Sequence, residues 1–351
     1  MKKFVIKSLA FVLIFAAVFL GVQTVLKYHW PDDTYVKNKD YEKQPENSID
    51  VLVFGTSEMN SCYLPVAVYY VSGITGYNFA LQNRSAVTTY YQLKYALKHQ
   101  TPKLVICDFA CLFDDMLPSE REVIYRRVVE SMPDREIKNE LINEICEIDE
   151  TQDPLDWYLP LFKYHTRWNE LTPDDFAGRR EYADYIKGTD IRIPQLNEQA
   201  FDIVPELWDA EAEANELSEF SVEYYDKMIE ECRSRGIEVM CMLTPKVCDA
   251  AVYKANWPKM QEYFESRGVK YINYCEYDKI KQMGLNMYED YADNAHLNAY
   301  GAVKFSTVVG QDLKGMYEFP DRREDANSQV TADWNGLWAR LAAYYGTFSG
   351  Q

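Results

Sequence analysis

Five short apolar runs set the limits on what this chain can fold into: "IDVLVFG" at 49–55, "GYNFAL" at 76–81, "LVICDFACLF" at 104–113, "IEVMCMLTP" at 237–245 and "VKYINYCE" at 269–276. Each is bounded by turn residues and reads as a buried strand. Between them lie stretches with apolar residues at helical spacing: one near 64–72, "TTYYQLKYALKHQ" at 88–100, "SVEYYDKMIEECRSRG" at 221–236 with Gly236 at its C-terminal end, and "KMQEYFESRG" at 259–268. "AYGAVKFSTVVGQDLKGMY" at 299–317 is a last helix. Strands alternating with helices predict a mostly parallel sheet covered on both faces, a three-layer α/β/α sandwich.

The rhythm breaks at 114–217, a segment rich in acids and in aromatics such as Trp157, Tyr158, Tyr164, Trp168, Tyr182 and Tyr185. It reads as a mainly helical insertion. Upstream, 28–48 is polar with two prolines and reads as a stalk, and downstream 318–351 holds an amphipathic piece, "DWNGLWARLAAYY", expected to pack back on the domain. The expected division is an anchor at 1–27, a stalk at 28–48, an α/β domain at 49–317 and a tail at 318–351.

Residues 8–26 carry no charge and form a largely apolar run, long enough to span a bilayer as a helix. Lys2, Lys3 and Lys7 precede it, so the positive-inside rule puts the N-terminus in the cytoplasm and the rest outside. A cleaved signal peptide is the rival reading. The apolar part is long for one and no small-x-small site follows, which favours an uncleaved, single-pass anchor in the cell membrane. The net charge of −18 argues against a nucleic-acid partner, because phosphate contacts need clustered Lys and Arg. Eight cysteines permit disulfides without demanding them, and their spacing with distant histidines makes a poor zinc site, so no metal is expected.

"VLVFGTSEMNS" at 51–61 ends an apolar run in a Gly-Thr-Ser turn. A serine becomes a nucleophile when an imidazole takes its proton and a third group orients that imidazole. Of four histidines, His29 lies beside the anchor, His99 ends a helix and His165 lies in the insertion. His296 lies in "YADNAHLNAYGAVKFS", between the last strand and the last helix. Ligands in open α/β sheets sit at the carboxyl ends of the strands, an edge that Ser57 and His296 can both reach. Asp293 is close enough in a turn to accept a hydrogen bond from the His296 Nδ1. By itself, Ser57 reads more readily as a helix N-cap than as a nucleophile.

Gly-x-Ser after the first strand, with Asp-x-x-His near the C-terminus, resembles the SGNH (GDSL-type) hydrolase superfamily over 49–113 and 218–315. "FGTSEMNS" and "DNAHLNAYGAVKFS" are most similar to membrane-anchored bacterial members, among them proteins that handle D-alanyl esters of teichoic acids and acetyltransferase-like proteins of exopolysaccharide modification. The resemblance implies Ser57 as nucleophile, His296 as general base and then acid, and Asp293 as its orienting group, with Asn298 and Gly301 capping and packing the last helix. It also implies an oxyanion hole from the nucleophile's own N–H, a Gly after the second strand and an Asn after the third. Here Ala80 stands near the Gly position and "CDFACLFDD" has no Asn, so Ala80, Gln82 and Asn83 are the candidate donors. Glu58 and Asp108 are candidate substrate-lining residues at the same edge, although backbone N–H groups could equally satisfy Asp108. In "FKYHTRWNEL", His165, Arg167 and Trp168 could line a carbohydrate or anionic substrate, or form an ordinary helix with a surface Arg.

These expectations add up to a serine esterase or O-acyltransferase outside the cell, acting on O-acyl groups of an envelope polysaccharide or teichoic acid without a cofactor. A membrane acyl-transfer partner would suit the transferase. A silent glycan-binding or scaffolding domain is the alternative.

Overall fold

The computed structural model describes residues 2–27, 34–177, 185–192, 197–324 and 328–345; His29 and Tyr182 lie outside the described residues. In chain order the strands are β1 (Val51–Phe54), β2 (Gly76–Asn78), β3 (Leu104–Cys107), β4 (Tyr185–Ile186), β5 (Thr189–Asp190), β6 (Glu238–Leu243) and β7 (Lys270–Asn273). Strands β4 and β5 form a small antiparallel ribbon, and the other five make one parallel sheet in the order β2-β1-β3-β6-β7. The order reverses between β1 and β3, which opens a crevice beyond their carboxyl ends.

Strand pleating sends alternate residues to opposite faces, and the two apolar layers divide accordingly. Leu52, Phe54, Val105, Cys107, Val239 and Cys241 join one cluster with helices Ala86–Ala96 and Glu219–Ser234. Val51, Val53, Leu104, Ile106, Met240 and Met242 join another with helices Pro65–Ser72 and Ala299–Met316. This is the three-layer sandwich expected from the alternation. All eight cysteines are free. Burial pushes the thiols of Cys62, Cys111, Cys232 and Cys275 up to about 12, so they act as small apolar side chains.

Two segments, the stalk and the insertion, are more closely built into the domain than expected. The end of the stalk belongs to the domain: within helix Thr34–Tyr41, Lys37, Asn38 and Tyr41 are buried. Lys37 Nζ donates to Asn60 Oδ1 at 2.6 Å and to the Ala80 carbonyl at 2.5 Å, which replaces the water that a buried ammonium loses. The insertion is likewise no appendage, because helices Glu122–Ser131 and Arg135–Ile148 supply Val128, Val129, Leu141 and Ile142 to the first cluster. In the tail, helix Gln329–Tyr345 buries Trp334 against Tyr69, with ring centroids 5.1 Å apart.

Helix Lys2–Leu26 is long and apolar enough to cross a membrane, and its apolar side chains are exposed along most of its length. Its carboxyl end is held. Arg167 Nη1 donates to the carbonyls of Leu26 at 2.7 Å and Lys27 at 3.0 Å, and Lys27 Nζ donates to the Glu130 carbonyl at 2.8 Å.

Candidate active site

The site is assembled from three loops at the carboxyl edge of the sheet. The register sets Phe54 of β1 opposite Cys107 of β3, so Gly55 and Asp108 emerge side by side. Asp108 is buried, and its carboxylate accepts from the Thr56 amide at 2.6 Å, the Thr56 hydroxyl at 2.8 Å and the Ala110 amide at 3.1 Å. Burial pushes the Asp108 carboxyl up against the pull of those bonds. A Cβ on Gly55 would lie 2.4 Å from Asp108 Oδ2 and 2.9 Å from Met59 Cβ, so this turn admits only glycine. Thr56 takes the N-cap position and Ser57 is the first residue of helix Ser57–Cys62. Ser57 is therefore not the N-cap.

The second loop explains the spacing of Asp293 and His296. An Asx-type turn lets Asp293 Oδ1 accept the amides of Ala295 at 2.8 Å and His296 at 2.9 Å. The same carboxylate receives His296 Nδ1, at 2.8 Å from Oδ1 and 2.9 Å from Oδ2. A carboxylate only accepts, so Nδ1 carries the proton and Nε2 of the neutral ring is free to accept. Nε2 lies 2.8 Å from Ser57 Oγ. The loop is pinned by a bridge between Tyr291 and Leu297, by the Tyr291 hydroxyl on the Pro245 carbonyl at 2.6 Å, and by the Cys248 amide on the Asn294 carbonyl at 3.0 Å. Beyond it, Asn298 caps helix Ala299–Met316 by accepting from the Tyr300 and Gly301 amides, and Gly301 lies where a Cβ would meet the Asp290 carbonyl at 2.3 Å.

Two residues that the motifs do not include complete the electrostatics. Arg192, beside the ribbon, donates to Asp293 Oδ2 at 3.0 Å. Although burial works the other way, hydrogen bonds from the His296 ring and from the Ala295 and His296 amides hold the Asp293 carboxyl well below the usual range. Lys246 follows β6 in the "TPK" turn and donates to Glu58 Oε1 at 2.7 Å. The other Glu58 oxygen lies 2.6 Å from the Thr56 hydroxyl, whose one proton is shared between Glu58 and Asp108, and 3.3 Å from Ser57 Oγ. Burial alone would raise the Glu58 carboxyl, but the Lys246 charge and the bonds from Lys246 and Thr56 outweigh it and bring it down to about 2. A small cavity bounded by Thr56, Glu58, Asp108, Lys246 and Tyr253 lies at this point. Lys246 was legible in principle, since it stands at the end of a strand just as Asp108 does; nothing in the sequence marks Arg192.

Several expected site residues do other work. The Ala80 amide is buried and donates to the Asn78 Oδ1 at 2.9 Å, so it is not free to bind an oxyanion. Gln82 gives its carbonyl to Arg127 at 3.1 Å, and Asn83 is exposed at φ 45°. Arg167 clamps the end of the N-terminal helix and donates to Asp175 Oδ1 at 3.0 Å, away from Ser57. His165 and Trp168 stand exposed beside it, Trp168 at 72%. The cluster "HTRW" thus belongs to the base of the apolar helix, and the Asp108 carboxylate is a support under the Ser57 turn.

No known family profile and no curated protein matches the chain. Among solved structures, it is similar to a Bacteroides fragilis NCTC 9343 protein proposed to be an acylhydrolase, at 10% identity and a TM-score of 0.39, over 83% of this chain and 99% of that one. It is also similar to a gut microbial diltiazem-metabolizing enzyme, at 11% identity and a TM-score of 0.27, over 78% of this chain and 49% of that one.

Proposed function

We propose that the protein is a serine esterase or O-acyltransferase in which Ser57 attacks an ester carbonyl. The observation that carries this reading is the continuous line from Asp293 through His296 to Ser57, with both hydrogen bonds at 2.8 Å. His296 takes the Ser57 proton as Oγ bonds to the carbonyl carbon, and then gives it to the leaving alcohol as the C–O bond breaks. Asp293 fixes the tautomer and stabilises the imidazolium, and Arg192 fixes Asp293. The acyl group then passes from Ser57 to water or to a sugar hydroxyl, with His296 acting again as base and acid. The Ser57 backbone N–H is the donor proposed for the developing oxyanion.

With Lys2–Leu26 as a membrane anchor and three lysines before the apolar run, the reading puts the site outside the cell, on O-acyl groups of envelope glycan. A fluorophosphonate probe tests it. Labelling of the wild-type chain that disappears in Ser57→Ala is the expected result, and folded protein without Ser57-dependent labelling would sink the proposal.

The occupied Ala80 amide favours a second reading, a domain that binds glycan without acting on it. Removing one oxyanion donor costs on the order of a hundredfold or more in rate. Turnover of acetyl esters separates the two readings.

A further inference from the structure

A cavity of about 390 Å³ opens beside the catalytic crevice, beyond the end of β7, between helices Glu206–Asp209 and Ala250–Ser266. It shares Tyr253 and Cys275 with the small cavity at Glu58 and Lys246, so the two spaces adjoin. Four aromatic side chains line it: Trp208, Tyr253, Trp257 and Tyr277. Their packing makes a firm wall. The Trp208 indole donates to the Cys275 carbonyl at 2.7 Å and meets Tyr277 edge-on at 5.7 Å, and Trp257 meets Tyr271 edge-on at 5.4 Å.

A wall of this kind suits a flat ligand with one apolar face and polar edges, the chemistry of a pyranose ring. The volume lies at the small end of ligand pockets, enough for one or two rings rather than a long polymer segment. Asn273 supplies a neutral polar group at the cavity, and acids set its charge. Asp209, Glu276 and Asp278 line it, and its lysine, Lys254, is already paired with Asp209 at 2.7 Å. Glu276 lies 3.8 Å from Lys279, so the three carboxylates outnumber the two lysines beside them and no cation among the described residues is left over for a phosphate or uronate.

We propose that this cavity is a subsite for an uncharged pyranose unit of the glycan chain, next to the ester that Ser57 attacks. The proposal rests on the reading of Ser57 as the nucleophile. It selects a neutral polysaccharide over a polyanionic teichoic acid as the substrate. The aromatic wall holds the chain on the outer side of Tyr253 and Lys246, and the Glu58 that Lys246 pairs with lies 3.3 Å from Ser57 Oγ.

The test uses the full-length Ser57→Ala protein in detergent micelles, so that binding is read without turnover. Uncharged tetrasaccharides of N-acetylglucosamine, glucose and mannose are titrated against tryptophan fluorescence, alongside poly(glycerol phosphate). A saturable change with at least one tetrasaccharide is expected, with affinity lower by about tenfold in Trp257→Ala and largely restored in Trp257→Phe. Poly(glycerol phosphate) should give no saturable change. No response to any tetrasaccharide, a response indifferent to both Trp257 variants, or saturable binding of the phosphate polymer would each overturn the proposal. Fluorophosphonate labelling of the wild-type chain reads the nucleophile separately, so failure of the subsite and failure of the serine chemistry can be told apart.

Discussion

Glu58 and Lys246 form a nearly enclosed ion pair, 2.7 Å between Oε1 and Nζ, and the second Glu58 oxygen lies 3.3 Å from Ser57 Oγ. The pair puts a carboxylate beside the proposed nucleophile and neutralises it from behind. Lys246→Met leaves that carboxylate uncompensated, at a cost of about 3–5 kcal/mol, read as a lowered denaturation midpoint. The double variant Glu58→Gln with Lys246→Met should recover much of that loss.

The same pair sets an acid limit on stability. Glu58 falls from an ordinary 4.5 to about 2 on folding, so its contribution is present above the unfolded value and is lost as pH falls through the folded one. Between about pH 4.5 and pH 2 the wild type should lose up to about 3 kcal/mol that Glu58→Gln never had. Chemical denaturation at stepped pH measures the difference, and parallel curves for the two proteins would contradict it.

Gly55→Ala tests the Asp108 support. The added methyl must displace a buried carboxylate, so stability should fall by about 1–3 kcal/mol and fluorophosphonate labelling of Ser57 should slow. Loss of stability with labelling at the wild-type rate would show that the turn positions nothing.

Asp293→Asn keeps the shape of the turn and removes the charge that fixes the His296 tautomer. Ester turnover should drop on the order of a thousandfold or more. Because Asp293 is held well below the ordinary carboxylate range, it stays ionised across mildly acidic pH. Any acid limb of the wild-type rate profile above pH 4 then belongs to another group, and Arg192→Ala, which leaves the bonds to His296 and to the amides in place, should not create one there.

Removal of residues 1–48 should unfold the domain instead of releasing it, because Lys37 and Tyr41 are part of its core. The far-ultraviolet circular dichroism melt of the truncated chain should lose its cooperativity. A melt as sharp as that of the full chain would mean that this segment is a tether after all.

Ser57, Asp293 and His296 were legible because each lies in a local pattern whose place in the chain order fixes its place on the sheet edge. The five strands were legible for the same reason, since apolar runs between helices leave a parallel sheet few alternatives. What stayed hidden depends on partners far away in sequence. The stretch around Lys37 looked like a stalk because its polarity is visible, whereas the Asn60 and Ala80 oxygens that solvate its ammonium are not. Ala80 looked like an oxyanion donor until the Asn78 side chain proved to occupy its amide. Arg167 beside Trp168 looked like a substrate platform, yet the Asp175 carboxylate and two carbonyls at the end of an apolar helix take up its guanidinium.

That last contact governs how the enzyme proposed here would search for substrate. With Lys2–Leu26 in a bilayer, the bonds from Arg167 and Lys27 make the junction a bracket, not a leash. The height of the crevice above the lipid is then set by the fold. Glycan would be processed in a narrow layer at that height, and diffusion of the whole protein along the membrane, rather than the swing of a loose arm, would carry the site from one chain to the next.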